Sequence, residues 1–137
     1  MAVQRESLLI VNPMVVLFES RGWRCINIHG NKFQSGLPDL FMYRVDGKAS
    51  ARWVEFKVVE SDGRIKCSQA QKVEFPLMVA SGGPYYCIAD TDLRGTENYD
   101  KRLDHYKRVT QGEPNLKWLL DKSFWPMLPS KKRKRIV

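Results

Sequence analysis

Asp39, Glu55 and Lys57 carry the strongest chemical signal in this chain. Asp39 stands in Gly36-Leu37-Pro38-Asp39-Leu40-Phe41, and the other two in Trp53-Val54-Glu55-Phe56-Lys57. Both stretches read as strands. Side chains alternate along a strand, so Glu55 and Lys57 share one face while Val54, Phe56 and Val58 take the other. The apolar set belongs in a core, which leaves an acid and a base side by side opposite it. A hairpin through Asp46-Gly47 would add Asp39 to them in one register and not in others, and the sequence leaves that register open. Two carboxylates close together in a partly dry site repel each other. A hard divalent cation such as Mg²⁺, which takes one or two carboxylates plus water and substrate phosphate, relieves that repulsion. Such an ion lowers the pKa of bound water and stabilises charge on phosphorus, while a lysine beside it orients or helps deprotonate the attacking water. These residue types therefore suit metal-assisted phosphodiester hydrolysis. The competing reading is a surface salt bridge, Glu55 with Lys57 or Arg64, on a half-exposed strand.

The elements that must position these residues follow from pattern. Residues 3–21 predict a helix that is apolar nearly all round and so buried. Asn12-Pro13 gives a cap-and-first-turn signal at which the helix restarts or kinks, and Gly22 ends it. Strands are expected over 23–29, 37–45 and 51–59, with a polar, glycine-bounded loop at 30–36 and turns at Asp46-Gly47 and Asp62-Gly63. A helix over 68–80 has Ser68 as its cap and Gly82-Gly83 as its stop, and a fourth strand runs over 84–89. Beyond Asp90, residues 98–109 and 115–120 suggest short helices, with Trp118, Phe124, Trp125 and Leu128 as apolar anchors of a C-terminal wrap. The expectation is an α/β fold: a mixed, mostly antiparallel sheet of about four strands, the first helix on one side and the Gln71 helix nearby. One domain over 1–128 is expected, its motif-bearing core at about 3–90 and its wrap at 91–128, followed by a basic tail at 129–137.

Bulk properties narrow the classes. At 137 residues, 43% hydrophobic and 28% charged, the chain is an ordinary globular domain. It lacks the long apolar run of a membrane span and the basic start of a secretory signal, so a cytoplasmic protein with no membrane partner is expected. Cys25, Cys67 and Cys87 form no even framework and read as reduced thiols, with Cys25 and Cys87 as core residues. Two histidines, His29 and His105, offer no common zinc spacing. The net charge of +8 suits a polyanionic partner, and five of the cations sit together in Lys131-Lys132-Arg133-Lys134-Arg135. The Lys32-Phe33-Gln34-Ser35 loop segment, together with Arg64 and Lys66, supplies candidate phosphate contacts.

The sequence resembles a known family. Pro38-Asp39 followed by Glu55-Phe56-Lys57 is similar to the PD-(D/E)XK nuclease motif. The setting resembles the VRR-NUC family within it: Gly36 before the PD pair, Gly63, then Ser68 and Gln71 opening the next helix, and a glycine turn into the apolar strand Tyr85-Tyr86-Cys87. The likeness covers roughly residues 6 to 90. It implies a restriction-endonuclease-like core and Mg²⁺-dependent cleavage of DNA, with Mn²⁺ able to substitute and no small-molecule cofactor. Carried over, Asp39, Glu55 and the backbone carbonyl of Phe56 would ligate the metal. Lys57 would position the nucleophilic water, and Gln71 would support the lysine or a phosphate, with Gln69 as its rival. An acidic residue of the first helix completes the family's site. Glu6 and Glu19 lie about 220° apart on a straight helix, and Glu6, among apolar neighbours, is favoured. Small stand-alone relatives resemble phage or bacterial junction-resolving enzymes that act as homodimers, which give two active sites for two strands. Two alternatives stand beside this reading. One is a sequence-specific endonuclease of restriction or homing type, reading bases with Arg94, Lys101, Arg102, Lys107 and Arg108. The other is a non-catalytic nucleic-acid-binding module.

Overall fold

A computed structural model of the chain describes residues 10–28, 36–45, 50–60, 62–90 and 99–122. Helix α1 spans Asn12–Ser20, strand β1 Arg24–Asn27, β2 Leu40–Arg44 and β3 Ser50–Val58; then come α2 (Gln69–Ser81), β4 (Tyr85–Asp90), α3 (Tyr99–Gln111) and α4 (Leu116–Lys122). The strands form one mixed sheet in the order β1-β2-β3-β4. β1/β2 and β2/β3 are antiparallel, whereas β3 and β4 run parallel with α2 as the crossover. This is the mixed four-stranded α/β architecture expected from the pattern.

Helices pack on both faces of the sheet, and strand alternation decides which side chains go where. Leu40, Met42, Val54, Phe56, Tyr86 and Ile88 point to one face, where they pack with Met14 and Phe18 of α1 and Tyr106 and Val109 of α3. Cys87 and Ala89 point to the other, against Phe75 of α2 and Leu116 and Leu119 of α4. On the first face, Trp23 donates its indole N–H to the Tyr106 hydroxyl (3.2 Å), and the Arg44 guanidinium lies 4.8 Å from the Trp23 ring centroid. Arg52 donates to the carbonyls of Val109 and Thr110, near the end of α3, where a cation meets the negative end of the helix.

Element ends depart from expectation for local reasons. The chain is already helical at Ile10 and Val11, in a wider π turn, before α1 proper. Pro13 sits in the first turn of α1, where a missing N–H costs no helical bond. The α1 terminus matches: Gly22 takes φ +91° and donates its N–H to the Glu19 carbonyl. β2 begins at Leu40 rather than Leu37, because Pro38 cannot contribute a ladder donor. Trp118 is not a core anchor: it is 41% exposed, while Leu116 and Leu119, one helical turn apart, are buried. Phe124, Trp125, Leu128 and the basic tail lie outside the described residues, as does the Asp46-Gly47 turn. No described helix is long and apolar enough to cross a membrane.

Candidate active site

β3 pairs antiparallel with β2 so that Leu40 opposes Val54 and Phe41 opposes Trp53. One step further, this register sets Asp39 against Glu55. Directly opposed residues share a face, so Asp39 joins Glu55 and Lys57 on the α2 side of the sheet. The link to β3 runs through its main chain: an Asp39 carboxylate oxygen accepts the backbone N–H of Phe56, between Glu55 and Lys57, at 2.9 Å. The register left open by the sequence is therefore the converging one.

The same register gives Pro38 a physical role. Two steps beyond the Leu40–Val54 pair, Phe56 would oppose Pro38. A hydrogen-bonded antiparallel pair exchanges two bonds, but Pro38 has no N–H to give the Phe56 carbonyl. The Phe56 N–H takes the Asp39 side chain instead. A proline directly before an aspartate thus ends the ladder and turns the aspartate onto β3.

Helix α2 supplies the third wall. Ser68 is its N-cap, in extended conformation, and accepts the Gln71 N–H on its hydroxyl (3.1 Å). In return the Gln71 side-chain oxygen accepts the Ser68 N–H at 3.0 Å, which closes a capping box. That same oxygen accepts from Lys57 Nζ at 2.8 Å, and the Gln71 amide nitrogen donates to Glu55 Oε2 at 2.9 Å. Because Ser68 N–H and the Lys57 ammonium can only donate, they fix which end of the amide faces Glu55. Gln71 therefore bridges the acid and the base, and its rival Gln69 is exposed. Gly36 locks the loop before Asp39 against this helix. Its φ is +85°, and a Cβ there would come within 2.9 Å of Glu74 Cγ and 3.4 Å of the Ala70 carbonyl.

Burial overturns the surface salt-bridge reading. Glu55 is 1% exposed and Lys57 8%, with Lys57 Nζ 3.4 Å from Glu55 Oε2. Arg64, the other proposed partner of Glu55, is exposed; its backbone N–H binds the Asp62 carboxylate at 3.0 Å. Cys87, opposite Glu55 on β4, reports the local field. Its thiol is held well above the ordinary cysteine range, first by burial and then by the Glu55 carboxylate, with Lys57 opposing and Cys67 and Asp39 adding to the rise. Asp39, Glu55 and Lys57 thus lie within electrostatic reach of one thiol.

Among the described residues no group of three or more His, Cys, Asp or Glu side chains could hold a metal ion. A divalent cation at this point would rest on the Asp39 and Glu55 carboxylates, completed by main-chain carbonyl and water. That is a hard-oxygen set of the kind Mg²⁺ accepts. Lys66, like Arg64, is exposed, on the segment between β3 and α2. Glu6, Lys32, Gln34, Ser35, His29 and Arg94 lie outside the described residues, whereas Glu19, the other helix acid, is exposed on α1.

Two features escaped the sequence reading. Asp90, buried at the end of β4, meets the buried His105 of α3 at 3.3 Å and Lys101 at 3.9 Å. Partners so far apart in sequence leave no local pattern. The second was legible in principle: Phe41, Tyr43 and Trp53 share strand parity with Asp39 and Glu55, so they share their face. Compared with known proteins, the chain matches no family model, no curated protein and no solved structure.

Proposed function

We propose that this chain is a divalent-metal-dependent DNA endonuclease with a PD-(D/E)XK core of the VRR-NUC type, acting on branched DNA as a cytoplasmic homodimer. The observation that carries the reading is the hydrogen bond from the Phe56 N–H to the Asp39 carboxylate. It ties the Asp39 carboxylate to the residue between Glu55 and Lys57, and the buried Glu55 is already bridged to that lysine by Gln71. A carboxylate buried to this degree costs several kcal/mol unless charge or hydrogen bonds compensate, so groups of this kind gather where chemistry needs them.

Asp39, Glu55 and the Phe56 carbonyl would hold Mg²⁺, or Mn²⁺ in its place. When bound, the ion would supply Lewis-acid stabilisation of the phosphate and a bound water of lowered pKa. Lys57 places its ammonium beside Glu55, where it offsets phosphate charge and orients the attacking water. Gln71 holds the lysine and Glu55 in register, and Ser68 holds Gln71. Arg64 and Lys66, exposed beside α2, suit phosphate contacts that position the backbone. A two-fold dimer would present two such centres to two strands.

The test is a panel of four-way junctions, flaps and a linear site library, each incubated with Mg²⁺ and with Mn²⁺. Cleavage of the branched substrates, dependent on metal, is expected. Cleavage of one linear sequence alone would assign the chain to the sequence-specific class. Absence of cleavage across the whole panel would leave only a basic nucleic-acid-binding domain.

A further inference from the structure

The sheet face that carries Asp39 and Glu55 continues into an aromatic row. Ile26 opposes Phe41, Phe41 opposes Trp53, and Trp53 opposes Tyr85, so these four side chains line up across all four strands. The row lies one side-chain step, about 6.6–6.8 Å, from the Asp39–Glu55 row. Tyr85 packs under α2 and α4, but among the described residues Ile26, Phe41, Tyr43 and Trp53 belong to neither core cluster. Ile26 is 51% exposed, and the three aromatic residues are half-buried. The Phe41 ring centroid is 4.9 Å from that of Trp53 and 5.9 Å from that of Tyr43, both tilted. In the next row out, the exposed Arg24 opposes Tyr43.

A cluster of large, partly exposed rings that joins neither core among the described residues marks a candidate contact surface. The patch is edged by the exposed Arg24, on a chain of net charge +8. A polyanion with flat apolar faces fits both features. We infer that this row is a stacking platform for unpaired nucleobases, feeding a single-stranded or branch-point segment of DNA toward Asp39 and Glu55. Bases within a duplex are already stacked on both sides, so the platform selects unpaired nucleotides and sets the substrate class of the proposed nuclease, on whose reading it rests. Phe41 and Trp53 offer their rings to successive bases, and Arg24 meets the backbone phosphate.

The test measures binding, without divalent metal, of a labelled oligothymidylate and of a duplex of equal length to the full chain and to Phe41→Leu and Trp53→Leu. Leucine keeps the patch apolar while removing the ring, and circular dichroism and thermal midpoint establish that each variant folds. Each variant is expected to bind the oligothymidylate about 5- to 150-fold more weakly, the range that stacking of one base on one ring supports, with duplex affinity changing less than twofold. Equal loss on both substrates, or no loss on the single strand in a folded variant, overturns the platform. So does sedimentation showing a dimer that Phe41→Leu splits while single-strand affinity holds, which would make the row a copy–copy interface. Because no metal is present and binding alone is read, a failure of the hydrolysis reading leaves this result readable.

Discussion

Glu55 and His105 are the residues whose burial most needs a reason. Glu55 is compensated by the Lys57 ammonium and the Gln71 amide, an arrangement that ties its stability to its neighbours. His105 sits behind β4 on α3, facing Asp90, with Asp104 and Arg108 also in its field. Burial pulls its pKa below the ordinary histidine value of about 6.5, against the upward pull of its hydrogen bond to Asp90. The unfolded chain therefore binds this proton more tightly than the folded one. Stability is full above pH 6.5 and declines as pH falls through that value toward the lowered one. Urea unfolding between pH 5 and pH 7.5 should show a falling midpoint below pH 6.5, and His105→Gln, which still can bond Asp90, should flatten that part of the curve. Wild type and variant with the same slope there would contradict the assignment.

Among the elements, α2 does more than cover the sheet. Its capping box and its bridge to the acid–base pair use the same glutamine, so the start of the helix and the geometry of the centre are one structure. Ser68→Ala should cost about 1 kcal/mol of stability through the lost cap. It should also release the Gln71 amide, lowering turnover of the proposed nuclease by roughly ten-fold or more, whereas Ser68→Thr should retain both. Thermal unfolding and plasmid nicking measured on the same preparations check this, and an alanine variant with lowered stability but unchanged turnover would reduce Ser68 to an ordinary cap. Much of this element was readable from residues: Ser68, Gln71 and Gly82 are local signals acting over a few positions, and all three occupy the places their types predict. Strand parity likewise placed Val54 and Phe56 opposite Glu55 and Lys57. What sequence could not supply was long-range. The register that adds Asp39 depends on β2 pairing with β3, and the burial of Glu55 depends on α2 closing over a face that residue pattern alone leaves half-exposed. The Asn115 side chain, which takes the Cys87 N–H at 2.7 Å and donates to its carbonyl at 3.1 Å, caps the outer edge of β4 in the same unforeseeable way.

For the molecule as a whole, the charge of +8 and the aromatic row one step from the carboxylates are the grounds on which one sheet face is proposed to meet a polyanion. If the basic run Lys131–Arg135 touches phosphate, deleting residues 129–137 should lower the slope of log affinity against log salt by about 0.7–0.9 for each phosphate that the tail neutralises, while leaving cleavage of bound DNA intact. Fluorescence anisotropy at several salt concentrations measures the slope, and an unchanged slope would remove the tail from the interface. The central claim is simpler and concerns three side chains on two paired strands. Supercoiled plasmid incubated with Mg²⁺ tests it directly: wild type should convert it to the nicked form and Lys57→Ala should do so at least a hundredfold more slowly, with its far-ultraviolet circular dichroism unchanged. Equal nicking by the two proteins would show that the cutting comes from elsewhere, and the Asp39–Glu55–Lys57 centre would lose its claim to the chemistry.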